Sequence, residues 1–177
     1  DESFELEAVT RYLNAVMEDV LEHGVGGGRI GELDLDGRYG VNLLMAVDPD
    51  GTAPVVVEPN PTARNLFGSI DADETRSGTA SFQSLHAGRL LQANGGLLML
   101  DADVLLENSD CANRLQRTLA AGELTLQTLD RGAPGASLKP DPIPVVFQLV
   151  MIGSAAAWRR LNQGHPELAR CIDQVID

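Results

Sequence analysis

The segment with the most chemical content runs from Gln92 to Ala102 and has the sequence QANGGLLMLDA. Two glycines precede four apolar residues, and this apolar run ends on one carboxylate, Asp101. The pattern is typical of a buried strand that presents an acid at the carboxyl edge of an α/β sheet, where phosphates and Mg²⁺ bind. At the next position, where such sites usually carry a Glu that orients water, this chain has Ala102. The segment therefore predicts a site for phosphate and Mg²⁺ that lacks the acid that orients water.

Composition limits the kinds of protein that can hold this segment. A chain of 177 residues with 44% apolar residues can bury one substantial core, and a net charge of -13 argues against direct binding of nucleic acid. No stretch approaches 18 apolar residues, so we expect no membrane span. Cys111 and Cys171 have no metal-ligand spacing, which favours buried thiols in a reducing cytoplasm.

The first predicted element is an amphipathic helix over residues 1–24. Its apolar residues recur at steps of three and four, and they are Leu6, Val9, Leu13, Val16, Met17 and Val20. Residues 25–37 are rich in glycine and then acidic, so they predict a flexible connection rather than a phosphate loop. The chain has an acidic start without Met, and we expect it to be a segment of a longer protein.

Two strands and two short helices are predicted before Asp101. Residues 38–47 alternate in polarity and residues 53–58 are apolar, so we expect a β-hairpin across the turn at 48–51. Asn60 and Pro61 predict the start of a helix that Gly68 ends. Residues 71–83 are interpreted as a surface loop, and residues 87–94 as a short helix stopped by glycine.

After Asp101 the pattern predicts helices over 104–107 and 110–121, and then a β-hairpin inserted between about 122 and 142. Residues 144–154 are almost continuously apolar and end on Ser154, as expected of a strand buried on both faces. Two apolar strands, each ending in a small polar residue and each followed by a helix, indicate a parallel α/β sheet. The site would lie at its carboxyl edge.

Several segments in order carry a family resemblance, and they are 12–22, 38–44, 54–70 and 93–102. The chain resembles the AAA+ module of the Lon-related ATP-dependent proteases, in particular their divergent bacterial branch. The resemblance implies a three-layer α/β sandwich of the P-loop NTPase type, with residues 38–177 as a partial core and an inserted hairpin. It also implies that strands 54–58, 97–101 and 145–152 are parallel neighbours, with the Asp101 strand in the middle.

The resemblance also implies roles for individual residues. Asp101 corresponds to the Mg²⁺-side acid of the Walker B strand, and Ser154 to the sensor that faces the γ-phosphate. Arg170 is the candidate arginine finger, with Arg159 and Arg160 as close alternatives. From the residues alone, Asp101 is equally interpretable as the cap of the helix that follows it, and for Ser154 the cap of the next helix is the favoured interpretation.

Departures from the family pattern leave two functions open. The sequence has no Gly-x-x-x-x-Gly-Lys-Ser/Thr loop, no Glu beside Asp101 and no Ser-Lys protease domain, so we expect no catalytic residue here and no ATP or Mg²⁺ bound by this segment alone. The first function is a segment of a ring-forming, serine-type ATP-dependent protease that unfolds and degrades protein substrates. The second is a degenerate, non-hydrolysing scaffold or oligomerisation domain.

The family order also predicts an open edge. The phosphate-loop strand of the family fold would pair beside residues 145–152, so we expect that edge to be covered by the N-terminal helix, by another copy of the chain or by a segment of the parent protein.

Overall fold

A computed structural model describes residues 2–24, 39–46, 51–72, 80–126 and 140–176, and the chain forms two compact units, Asp1–Val41 and Asn42–Asp177. The first unit contains helix α1 (Glu2–Gly24), so the predicted helix is confirmed. Its Tyr12 hydroxyl donates to the Tyr39 carbonyl at 2.8 Å, and the Tyr39 hydroxyl donates to Asp19 at 2.5 Å. The predicted connection at 25–37 lies outside the described residues.

The second unit alternates short strands with short helices. In chain order they are β1 (Val55–Glu58), α2 (Ala63–Phe67), β2 (Ser69–Ala72), β3 (Ala80–His86), α3 (Arg89–Gln92), β4 (Leu97–Asp101), α4 (Ala102–Leu105), α5 (Ser109–Ala121), β5 (Glu123–Leu124), β6 (Ile143–Pro144), β7 (Gln148–Ile152), α6 (Ala155–Gly164) and α7 (Pro166–Ala169). Over the described residues, no helix has both the length and the apolar content needed to cross a bilayer.

A three-stranded parallel sheet in the order β1-β4-β7 organises this unit. Val57 lies beside Met99, and Met99 lies beside Val150, so the three strands are in close register. The predicted α/β fold, the parallel pairing and the central position of the Asp101 strand are confirmed. Antiparallel pairs β2-β3 and β5-β6 lie outside this sheet, and β5 and β6 form the base of the predicted insertion, whose residues 127–139 are not described.

The two faces of the parallel sheet differ in burial. One face packs on the core through Leu98 and Leu100, which are almost fully buried. On the other face Val55, Val57 and Ile152 are all more than half exposed, and Asp101 lies on this face because it alternates with Leu100. The prediction that residues 144–154 are buried on both faces is wrong, since only one face of β7 meets the core. In the described residues β7 pairs with β4 alone.

The hairpin predicted from residues 38–47 and 53–58 is also wrong. Residues 40–46 form no strand, and Val41 and Leu43 are 81% and 72% exposed. Strand β1 pairs instead with β4, which is about forty residues further along the chain. The reason is that an alternating pattern defines one face of an extended segment, whereas it does not specify which strand supplies the hydrogen bonds.

Two further predictions need correction near the next elements. The segment 71–83 is not simply a loop, because β2 and β3 include its two ends as an antiparallel pair, while residues 73–79 are not described. Helix α2 begins after Thr62 rather than after Asn60, and the Thr62 hydroxyl accepts a hydrogen bond from the Asn65 N–H at 3.2 Å. Gly68 ends this helix as predicted, with a φ of 79°.

Two glycines bring the base of the β2-β3 hairpin into contact with α2. A Cβ at Gly68 would lie 2.1 Å from the His86 carbonyl oxygen, and a Cβ at Gly88 would lie 2.2 Å from the Gly68 nitrogen. Backbone therefore packs directly on backbone at this point, which side chains larger than hydrogen would prevent.

The two cysteines have different surroundings. Cys111 is buried on α5, and its thiol donates to the Pro61 carbonyl at 3.3 Å. Burial raises the pKa of the Cys111 thiol to about 11. Cys171 is exposed, so the prediction of a buried thiol is confirmed for Cys111 and wrong for Cys171.

Candidate functional site

Asp101 lies where the sequence predicted it, at the carboxyl end of the central strand β4. Its Oδ1 accepts a hydrogen bond from the Val104 N–H at 3.0 Å, which makes Asp101 the N-cap of α4. The capping interpretation is therefore confirmed. The other carboxylate oxygen, Oδ2, has no hydrogen-bond partner among the described residues, so capping leaves one oxygen available.

Asp103, rather than Asp101, connects the two strand ends. Its Oδ2 accepts the Ser154 N–H at 2.8 Å, and its Oδ1 accepts the Ser154 hydroxyl at 2.9 Å and the Arg160 guanidinium at 2.6 Å. The pKa of Asp103 is lowered, first by the backbone N–H of Ser154, then by its hydroxyl, and also by Arg160. Asp103, Ser154 and Arg160 are called the Asp103 cluster below. The sequence signal for this cluster was weak, because it consisted of a single acid, Asp103, in the first turn after Asp101.

Ser154 caps the next helix and bonds to Asp103 at the same time. Its Oγ accepts the Ala157 N–H at 3.1 Å, so the predicted cap of α6 is confirmed. The hydroxyl hydrogen is donated to Asp103. Because a hydroxyl has a single hydrogen, Ser154 can donate to a phosphate only after it leaves Asp103. The sensor role stays a prediction.

The candidate arginine fingers occupy different environments. Arg170 pairs with Glu167 three residues earlier, at 2.5 Å, and its side chain is 73% exposed. Arg160 belongs to the Asp103 cluster, and Arg159 beside it is exposed. The role of Arg170 as a finger therefore stays a prediction.

A magnesium ion at this edge would depend mainly on Asp101. The described residues contain no group of three or more His, Cys, Asp or Glu side chains that could hold a metal. Mg²⁺ at nucleotide sites, however, is usually held by one or two carboxylates, with waters and phosphates supplying the other ligands. Half-buried Asp101, with its available Oδ2, fits such a site, whereas both oxygens of Asp103 already accept hydrogen bonds.

A cavity that the sequence analysis did not anticipate lies at the carboxyl end of β1. It has a volume of about 590 Å³, and we call it the Glu58 cavity. Its walls include Glu58, Arg64, Gly68, Ser69, Arg89 and Gln92. Glu58 is the last residue of β1 and is buried. It lies on the core face of the sheet, opposite the face that carries Asp101.

Glu58 is a buried carboxylate with two partners. Its side chain is 6% exposed and pairs with the Arg89 Nε at 3.1 Å, and its Oε1 accepts the Asn60 N–H at 2.8 Å. Arg89 also donates from Nη1 to the Gln92 side-chain oxygen at 2.7 Å. A signal for Glu58 was present, since VVVE, like LLMLD, is an apolar run that ends on an acid.

Ser69 is the polar group in the cavity wall that the fold leaves unsatisfied. The residue is fully buried, and its Oγ has no hydrogen-bond partner among the described residues. A buried hydroxyl without a partner loses the hydrogen bonds it would make to water, at a cost of about 1–3 kcal/mol. The cavity thus combines a satisfied buried carboxylate with an unused hydroxyl.

Most of the chain matches the model of a known protein family. The family model described as LonB-like, AAA domain matches residues 51–174, a range that contains both the Asp103 cluster and the Glu58 cavity. No curated protein matches the chain.

Proposed function

The chain belongs to the family of LonB-like AAA domains, and on that premise we propose that it is a segment of the ATPase module of a Lon-related, serine-type ATP-dependent protease. In the parent protein this module couples nucleotide binding to the unfolding and degradation of protein substrates. The parent forms a homo-oligomeric ring, and this segment alone does not turn over ATP.

One observation carries the proposal, namely the position of Asp101 and Ser154 at one edge of the sheet. Asp101 ends the central strand β4, directly beside Ile152 of β7, and Ser154 follows Ile152 by two residues. Parallel strands bring their carboxyl ends to the same edge, and phosphate-binding α/β proteins use this edge. An acid on the central strand and a hydroxyl on the neighbouring strand agree with the Mg²⁺-side and sensor roles.

ATP with Mg²⁺, when bound, supplies the phosphoryl group and the cation that neutralises its developing charge. Asp101 would hold the metal side, since one of its carboxylate oxygens does not cap α4. Ser154 would face the phosphate side with its hydroxyl, which now donates to Asp103 while its oxygen caps α6. In this proposal the phosphate loop comes from another segment of the parent, whose strand pairs with the edge of β7 that has no strand partner among the described residues.

The test compares Asp101→Asn with Asp110→Asn in the parent protein. Asp110 lies exposed in the first turn of α5 and serves as the matched control. Since the Asn side chain is neutral and binds Mg²⁺ weakly, we expect Asp101→Asn to lower both ATP turnover and degradation of unfolded casein by about a hundredfold or more. Wild-type turnover in Asp101→Asn would contradict the proposal. Calorimetry on the segment alone should show no micromolar affinity for Mg·ATP.

A non-hydrolysing scaffold is the second candidate, and Ala102 is the observation that favours it. Ala102 stands where the water-orienting acid would be and is 6% exposed, while Asp103, the next residue in the chain, is held by Ser154 and Arg160. A parent that binds Mg·ATP and assembles without releasing phosphate would support this scaffold over the protease.

A further inference from the structure

Helix α1 carries a contiguous apolar surface that is exposed in the first unit. Five apolar side chains are between 44% and 61% exposed, and we call them the α1 stripe: Val9, Tyr12, Leu13, Met17 and Leu21. Single exposed apolar residues are ordinary, whereas a contiguous set on one side of a helix marks a contact surface. Val9, Leu13, Met17 and Leu21 follow one another at steps of four residues, so they form one ridge along the helix.

The charged residues of α1 lie away from this ridge. With about 3.6 residues per turn, the charged side chains that the structure describes fall, with one exception, on the other side of the helix, and they are Glu7, Arg11, Glu18 and Glu22. The exception is Asp19, which lies on one flank and accepts a hydrogen bond from the Tyr39 hydroxyl. Tyr12 on the same flank donates to the Tyr39 carbonyl. Tyr39 therefore occupies this flank, and the ridge beside it stays exposed.

The charge distribution selects the kind of partner. The described polar side of α1 carries three acids and one arginine, so it would be repelled by an anionic lipid surface, whereas helices that lie on membranes have a basic polar face. The ridge itself has no charge, so two copies meet no like charge there, although each chain has a net charge of -13. A second copy also offers the same ridge, and ridges of this spacing interdigitate in the commonest class of helix packing.

We propose that α1 pairs with α1 of a second copy of this chain through the α1 stripe. Leu13 and Met17, in the middle of the ridge, make the central contacts, and the acidic side of each helix stays in water. The two-fold arrangement uses the same surface on both copies, so it closes at a dimer.

The pairing does not depend on the proposed nucleotide chemistry. Helix α1 precedes residues 51–174, which match the family model, so the dimer and the proposed function can fail separately. Five side chains that are about half exposed offer less area than the roughly 800 Å² per partner of a stable interface. We therefore expect a weak dimer with a dissociation constant on the order of 100 µM.

The experiment is sedimentation equilibrium of the full 177-residue chain at concentrations from about 10 µM to about 1 mM. The average mass should rise with concentration from that of one chain toward that of two. Raising the NaCl concentration from about 0.05 to about 0.5 M should leave the association unchanged or strengthen it, because salt screens the repulsion between two acidic chains.

Three variants localise the contact. Leu13→Glu places a charge in the middle of the ridge and should weaken the dimer at least about tenfold, and Met17→Lys, with a charge of opposite sign, at least about fivefold. A change in net charge cannot explain a loss in both. Ala15→Glu is the matched control, because it adds the same charge as Leu13→Glu at an exposed position two residues away, which does not face Leu13. It should dimerise as the wild type does, and circular dichroism should show unchanged helix content in all three.

Any of three results would overturn the inference. One is a mass that stays that of a single chain up to about 1 mM. Another is association that neither Leu13→Glu nor Met17→Lys weakens, which would assign it to a different surface. The last is association that salt weakens severalfold, since that would show a contact held by opposite charges rather than by the uncharged ridge.

Discussion

The Glu58 cavity and the Asp103 cluster use the same kinds of groups at neighbouring strand ends, but they differ in burial. Each contains a carboxylate paired with an arginine, and each contains a serine. The Glu58 side chain is 6% exposed, whereas that of Asp103 is 40% exposed. Ser154 donates one hydrogen bond and accepts another, while the Ser69 hydroxyl makes none to any residue that the structure describes.

This difference shows that the type of a polar side chain does not by itself determine its effect on stability. In the Asp103 cluster the side chains form hydrogen bonds with one another near solvent, and these bonds order the ends of β4 and β7. The loss of one such interaction costs little free energy of unfolding. In the Glu58 cavity Glu58 and Ser69 are removed from water, and a missing partner for either group carries a penalty. The cavity should therefore tolerate substitution less well than the cluster.

The largest contrast is expected from alanine at one glycine of each region. Gly68→Ala combines a φ of 79° with a Cβ only 2.1 Å from the backbone oxygen of His86, and it should lower the free energy of unfolding by about 4 kcal/mol. Gly153→Ala meets the Ala102 methyl at 2.8 Å and should cost about 2 kcal/mol, because α4 can shift slightly. Urea unfolding of both variants measures the difference, and equal losses would show that the two regions pack alike.

Removal of the arginine from each ion pair should give the next largest contrast. Arg89→Ala leaves Glu58 buried without its cation and should cost about 2 kcal/mol, which is less than for a fully buried pair because Arg89 is 45% exposed. Arg160→Ala breaks a pair whose two members are both near solvent, so its effect on unfolding should be close to zero. A larger loss for Arg160→Ala than for Arg89→Ala would reverse the comparison.

The two serines should respond differently to alanine. Ser154→Ala removes the cap of α6 and should lower the free energy of unfolding by about 1 kcal/mol. Ser69→Ala removes a buried hydroxyl that has no partner in the described part of the chain, so thermal unfolding should show no loss of stability. A clear loss in Ser69→Ala would mean that its hydroxyl has a partner in solution.

The smallest expected effect is a pH dependence at Asp103. Its hydrogen bonds to Ser154 and its pair with Arg160 hold its pKa in the folded protein below the ordinary 3.8. A lowered pKa stabilises the fold above the unfolded value, and this contribution is lost as the pH falls through the folded value. The stability difference between wild type and Asp103→Asn should therefore be constant near neutral pH and shrink below 3.8.

Urea unfolding at several pH values tests this expectation, with Ser154→Ala as a partial control that keeps the backbone N–H bond to Asp103. That variant should retain part of the pH dependence. A wild-type-to-Asp103→Asn difference that stays constant throughout the acid range would refute the role of Asp103 as the charged acceptor.

Much of the framework could be predicted because it depends on neighbouring residues. The apolar run before Asp101, the helix end at Gly68 and the helix α1 follow from local periodicity and from glycine conformation. The order of the parallel strands came from the family resemblance, and the structure confirms it. The strand predicted at 38–47 failed because alternation does not identify a pairing partner.

Neither the Glu58 cavity nor the Asp103 cluster could be predicted from local sequence patterns. Glu58 and Arg89 are 31 residues apart, and Asp103 and Ser154 are 51 residues apart. No local pattern connects such pairs, since they meet only after the strands have paired and the helices have packed. For the same reason Arg160 could not be told apart from Arg159 and Arg170 before the fold was known.

The sequence by itself determined that an acid would end the central strand and that a serine would follow the next one, because apolar runs and their polar ends are local properties of the chain. Only the tertiary structure decided the burial of each group. Glu58 and Asp101 both end apolar runs, but the alternation of β1 turns Glu58 toward the core, while that of β4 turns Asp101 to the exposed face. Burial sets the cost of an unpaired charge or hydroxyl, and it arises from packing between elements that are distant in the chain.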